Sequence, residues 1–223
     1  LNIFNKFLIT NVLFVMRDAY LGMPVISTFV LVMGAGYIIG GIRSCIIVGA
    51  LILFIALSEY WNRALITAYM ATFAVGVSAI LGIVTGSICA RNEISAKFIL
   101  GVCDFFQTFP SFIYLIPVIL LFGITDTSVM IAAIAYASVP ATRYTVEGLR
   151  SVPSSLHDAA SMSGVSNFQR WKSIELPLAF PHIMLGINQT LIFALMMIVL
   201  GALIGTEDLG QIIMGCLSRP NGA

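Results

Sequence analysis

The sequence predicts an all-α protein, a polytopic transmembrane helix bundle. Composition and the spacing of charge carry that expectation. Of 223 residues, 59% are hydrophobic and 9% charged, far from the quarter or so of charged residues that a soluble domain uses for its surface. A mean hydropathy of +1.02 suits a chain whose solvent is mostly hydrocarbon. The few charges are gathered between long runs that contain none, and a charge at mid-bilayer costs roughly 2.5 to 3.5 kcal/mol on insertion scales.

Those runs give the elements in order. Residues 19–42, 44–58, 64–90, 105–125, 127–142 and 176–206 hold no Asp, Glu, Lys or Arg. About twenty apolar residues cross a bilayer, so the first, third, fourth and sixth runs are full spans. The second and fifth are short, and the Ala-rich fifth suits a helix packed inside a bundle. Residues 1–18 form a peripheral N-terminal segment outside the single membrane domain at 19–223. Pairs of glycines four apart, Gly36 with Gly40, Gly82 with Gly86 and Gly201 with Gly205, are expected to serve close helix packing. Pro110 and Pro117 should kink the fourth span.

Arg143, Arg150, Arg170 and Lys172 lie in one long polar connection, residues 143–177, which the positive-inside rule puts in the cytoplasm. Alternation then brings Arg43, Arg91 and Lys97 inside. Lys6, Arg17, Arg63 and Arg219 fall outside with the N-terminus.

Within the connection, Ser155 to Asp158 follows Pro153 and Ser166 to Gln169 follows Gly164. Both read as capping boxes that open short helices. Gly164 supplies a left-handed turn between them. Phe168, Trp171 and Ile174 share a face of the second helix, and Pro177 is expected to end it before the sixth span. Ala159 and Ala160 leave the first helix small-surfaced.

The run Asp158-Ala159-Ala160, Gly164, Ile174 and Leu176-Pro177 resembles the EAA motif of ATP-binding-cassette (ABC) importer permeases, with Asp in place of the usual Glu. Leu21 to Pro24, Gln107 to Pro117, Leu121 to Ile124, Gly186 to Thr190 and Leu209 to Gln211 narrow the resemblance to the glycine betaine, proline and choline permeases. It implies the type I ABC importer permease fold, with Asp158, Ala159, Ala160 and Gly164 coupling to a cytoplasmic ATPase. The resemblance further implies an osmolyte substrate such as betaine, choline, proline, carnitine or an amine N-oxide. Implied partners are ABC ATPase subunits that bind ATP and magnesium, an extracytoplasmic substrate-binding protein and a second permease copy, in the inner membrane of a bacterium. The family pattern also places one further span beyond Ala223.

Gln107, Thr108, Asn188 and Gln189 lie within spans, where polar groups should face the bundle. For all four two readings stand, a lining of the translocation pathway and packing by interhelical hydrogen bonds. Glu207 and Asp208 sit together at the expected outer mouth of the sixth span, either as a solvated turn or as a docking point for the binding protein. Asp104 reads as a helix-end anchor, and His157 and His182 as structural.

Other classes fit less well. Net charge is +1 with no basic stripe, so nucleic acid is not the expected partner. Cys45, Cys89, Cys103 and Cys216 show no metal spacing, no phosphate-binding GxxxxGK[ST] loop occurs, and no catalytic pair lies at membrane depth. The chain is therefore expected to be no enzyme and to hold no cofactor or metal of its own. The alternatives kept open are a permease for an amino acid such as methionine and, from a different class, an ion-coupled secondary transporter, although the latter usually carries ionisable groups deep in its spans.

Overall fold

The computed structural model describes residues 14–206 and 208–218, and among these every regular element is helical. In chain order they are α1 (Phe14–Leu21), α2 (Val25–Leu57), α3 (Trp61–Cys89), α4 (Glu93–Thr108), α5 (Phe112–Phe122), α6 (Asp126–Arg150), α7 (Ser154–Met162) and α8 (Asn167–Arg170). A π-helical turn (Trp171–Glu175), α9 (Leu176–Gly201), a 3₁₀ turn (Ala202–Ile204) and α10 (Leu209–Leu217) follow. The all-α membrane bundle expected from composition is what the chain forms. Two compact units are distinguishable. One comprises the described residues up to Met70, Ile124–Thr127 and those from Val199 onward, and the other comprises Ala71–Gly123 with Ser128–Ile198.

In the first unit α2 is a hairpin rather than one straight helix. Gly41 has φ +68° and ψ −161°, inside an otherwise helical run, and a residue with a Cβ rarely adopts that geometry. Position 36 lies against Cys45 and Val48, and Gly49 lies against the Met33 side chain. Such contacts are impossible along a continuous helix, where nine residues advance about 13 Å. The arms, 25–40 and 42–57, correspond to the expected runs 19–42 and 44–58 and meet two residues before Arg43, but the first starts six residues late, because residues 19–21 belong to α1, and is shorter than the full span expected. Each is about 24 Å long at 1.5 Å per residue. Of their residues only Gly49 is buried, and Ile26, Ile38, Ile39 and Phe54 are more than 70% exposed, a surface suited to lipid.

In the second unit α6 is the central helix and the most enclosed of the long apolar ones. Val129, Met130, Ala132, Ala133, Ala137 and Val146 have at most 1% exposure. Gly82 and Gly86 of α3 sit where an added Cβ would fall within 3 Å of Ala141 and Thr145 of α6, so this glycine pair does set a close helix contact. The pair at Gly36 and Gly40 also serves a close approach, here between the two arms of the hairpin, whereas Gly205 takes a left-handed turn with open space around it. The Ser78 hydroxyl donates to the Ile134 carbonyl at 3.2 Å, and Thr85 and Thr142 share a hydrogen bond of 3.1 Å.

Three further boundaries differ from expectation. First, α6 continues to Arg150, because Arg143 is paired with Asp104 and Glu147 and so can sit within a helix where an unpaired cation would be costly. The first two turns of the expected polar connection are therefore helical. Second, the fourth span is broken: α4 and α5 meet at 89° around Phe109, Pro110 and Ser111. Pro117 lies inside α5 without breaking it. Third, Pro177 does not stop the chain. A helical run of 38 residues extends from Asn167 to Ile204, since the wider π turn ends at Glu175 and Pro177 falls in the first turn of α9, where a missing N–H costs least.

Candidate functional site: the coupling loop and a polar cavity

The loop between α6 and α9 is shaped by two local signals. At the end of α7 the Val165 amide donates to the Ala160 carbonyl (3.2 Å) and the Gly164 amide to the Ser161 carbonyl (3.2 Å), with Gly164 at φ +71°. This is a Schellman termination, in which left-handed glycine lets two otherwise orphaned carbonyls find donors. Two residues later α8 opens with the expected capping box: the Gln169 amide donates to Ser166 Oγ at 3.3 Å, and Gln169 Oε1 accepts from the Ser166 amide at 3.0 Å. The first expected box is absent. α7 starts two residues early, at Ser154, and its N-cap is Pro153, which has no polar side chain to cap with.

Asp158 and Ala159 are exposed on α7, whereas Ala160 is buried at 5% exposure. Ala160 therefore packs inward, and the small outer surface belongs to Ala159. Sequence reasoning missed Met162, the most exposed large apolar side chain of the loop at 90%; its single signal was position, one turn after Asp158. Glu175 at the end of the π turn ties the loop together. It accepts from Arg170 Nε at 2.9 Å and lies 3.3 Å from His157 Nδ1 of α7, so His157 has an acidic neighbour that the sequence did not reveal. Phe168 stacks on Trp171 with ring centroids 6.1 Å apart.

A second constellation lies among α4, α6 and α9. Arg143 Nη1 donates to Asp104 Oδ1 at 2.5 Å and to Gln107 Oε1 at 3.1 Å, and Nε donates to Glu147 Oε1 at 3.0 Å. Gln107, Arg143, Tyr144, Glu147, Gln189 and Phe193 surround a cavity of about 370 Å³. Thus Gln107 and Gln189, about eighty residues apart in the chain, meet in one place. Asp104 is an ion-pair partner here rather than an end anchor. A line of rings runs beside it: Phe193 to Tyr136 (4.8 Å), Tyr136 to Tyr114 (5.0 Å) and Tyr114 to Phe106 (6.1 Å). The other two polar span residues stay apart. The Thr108 hydroxyl donates to its own helix at the Phe105 carbonyl. Asn188 is exposed rather than turned into the bundle, because one residue along a helix is a rotation of about 100° and Gln189 takes the inward direction.

At the far end of α9, Glu207 lies outside the described residues. Asp208 is fully buried, which removes it as a docking carboxylate. One oxygen accepts the Gln211 amide at 3.2 Å as N-cap of α10, and the other accepts the Thr206 hydroxyl at 3.2 Å. Burial raises its pKa. The Leu209 amide donates to Thr67 Oγ1 at 3.1 Å, and Arg63 donates to Gln211.

Residues 82–218, more than half of the chain, match the family described as binding-protein-dependent transport system inner membrane component. The chain belongs to this permease family. The loop and the polar cavity both fall within the matched region. Across all 223 residues the chain is 65% identical to the trimethylamine N-oxide transport system permease protein TmoV of Pelagibacter ubique, of which it covers 31%. It is 33% identical to the glycine betaine/proline betaine transport system permease protein ProW of Escherichia coli, over 91% of this chain and 57% of that protein. With the carnitine transport permease protein OpuCD of Listeria monocytogenes it shares 30% identity over 74% of this chain and 73% of that one. The chain spans about a third to a half of the length of the trimethylamine N-oxide and glycine betaine/proline betaine relatives.

Proposed function

We propose that the chain is the membrane-crossing permease part of an ATP-driven importer for trimethylamine N-oxide or a closely related methylated amine. The observation that carries this is 65% identity, across all 223 residues of this chain, with part of a trimethylamine N-oxide permease protein. The polar cavity supports it. Trimethylamine N-oxide pairs a methylated, positively polarised nitrogen with a negative oxygen; Gln107, Gln189 and Arg143 offer donors for the oxygen, and Phe193, Tyr144 and the Glu147 carboxylate suit the methylated end. The chain carries no phosphate-binding loop of its own, so ATP and magnesium are bound by separate ABC ATPase subunits in the cytoplasm.

Those subunits dock on α7, where Asp158, Ala159 and Met162 are presented outward by the Schellman turn at Gly164. A binding protein on the outer side delivers substrate, and a second permease copy completes the pathway. Gln107, Thr108 and Asn188 support the second copy, since they lie in apolar segments yet are exposed in a single chain, and lipid is a poor solvent for them. The setting is the inner membrane of a bacterium.

Transport by the complete polypeptide with its ATPase and binding protein, reconstituted in liposomes, tests this reading. Uptake of trimethylamine N-oxide should require internal ATP and be competed by methylated amines but not by methionine. Uptake driven by a sodium or proton gradient without ATP, or uptake of methionine alone, would overturn it.

A further inference from the structure

A larger cavity, of about 820 Å³, lies beneath the coupling loop, between α7, α8 and the π turn on one side and the ends of α3 and α6 on the other. Its charge is unbalanced. Arg170 is neutralised by Glu175, but Arg91 and Arg150 make no ion pair among the described residues. Two polar atoms at its wall, Trp171 Nε1 and Ser87 Oγ, are buried without a hydrogen-bond partner. An indole N–H is a donor only, so the group missing opposite Trp171 must be an acceptor. A buried donor left unmade costs about 1 to 3 kcal/mol, a cost a bound acceptor would remove.

We propose that this cavity binds a phosphate ester, with Arg91 and Arg150 holding its charge and Trp171 Nε1 and Ser87 Oγ donating to its oxygens. Guanidinium forks match phosphate geometry in a bidentate way. The cavity is of the size of ordinary ligand sites, about 300 to 1,000 Å³, larger than a bare inorganic anion requires, and the apolar side chains of Leu149 and Phe168 share its lining. Arg150 is the last residue of α6, and Arg91 stands two residues beyond α3, the level at which spans end and lipid phosphates lie. These features fit the headgroup of an anionic phospholipid, and the same chemistry would accept a soluble phosphate ester.

Native mass spectrometry of the delipidated complete transporter separates the sources, with phosphatidylglycerol, phosphatidylcholine and glycerol 3-phosphate as probes. The parent should retain phosphatidylglycerol over phosphatidylcholine. Arg91→Gln combined with Arg150→Gln should weaken that retention about tenfold, without loss of folding because both side chains are exposed and neither forms a salt bridge among the described residues. Trp171→Phe, which keeps the ring and removes the N–H, should weaken it several-fold. Binding of glycerol 3-phosphate without phosphatidylglycerol, sensitive to the same substitutions, would support the site with a soluble ligand. Equal retention of phosphatidylglycerol and phosphatidylcholine by parent and variants, or binding of none of the three probes, overturns the proposal.

Discussion

Asp208 is a carboxylate with no exposure, held by the Gln211 amide and the Thr206 hydroxyl. Removing the cap in Asp208→Ala should cost about 1 kcal/mol, seen as a lower thermal unfolding temperature. Asp208→Asn keeps a good cap and removes the charge. Because burial raises the folded-state pKa above the ordinary 3.8, the folded state binds more protons than the unfolded one within that window. The contribution of Asp208 to stability is thus fully present below 3.8 and is lost as pH rises through the raised value. Unfolding measured against pH should show that decline in the parent and not in the Asn variant. Arg143 makes the other residue-scale prediction. It alone joins Asp104, Gln107 and Glu147, and an ammonium cannot reproduce that fork. Arg143→Lys should lower the uptake rate on the order of tenfold while the subunit still inserts. Neither role was legible in the sequence: the acidic pair at 207–208 looked like an outer turn, and Asp104 and Arg143, thirty-nine residues apart, had no local pattern to join them.

At the scale of elements, charge-free runs located the spans but misjudged their ends wherever charges were paired or a proline was accommodated. Arg143 seemed to end the fifth span until its partners on α4 and one turn along α6 came into view, and Pro177 seemed to end α8 because a π turn leaves no mark in composition. The reversal at Gly41 was legible because Arg43 stands beside it. In the coupling loop the Gly164 turn and the Ser166 cap were readable, being local chemistry, whereas the face on which Ala160 lies depends on packing. Gly164→Leu should destabilise the loop by about 1 to 2 kcal/mol, since a side chain is forced left-handed, and should reduce stimulation of the ATPase by the permease. Ala160→Trp should disrupt the loop by overpacking, measurable as faster proteolysis of the connection. Ala159→Trp should leave the connection protease-resistant.

For the whole molecule, a lipid-soluble bundle was evident from composition alone, because 9% charge cannot clothe a water-soluble surface of this size. Which side faces the cytoplasm follows from basic residues and is testable. In a background with Cys45, Cys89, Cys103 and Cys216 replaced by Ala, Arg43→Cys should be labelled from the cytoplasmic side and Arg63→Cys from the outside. The pathway was only half legible: Gln107 and Gln189 were recognisable as polar groups in apolar spans, but the rings beside them read as ordinary span residues. The central claim is that the permease is driven through the outward surface of α7, and ATP-dependent uptake of trimethylamine N-oxide by the complete transporter carrying Ala159→Trp tests it most directly. The account predicts that uptake is abolished while the subunit inserts and its connection resists protease; uptake at the parental rate would contradict it.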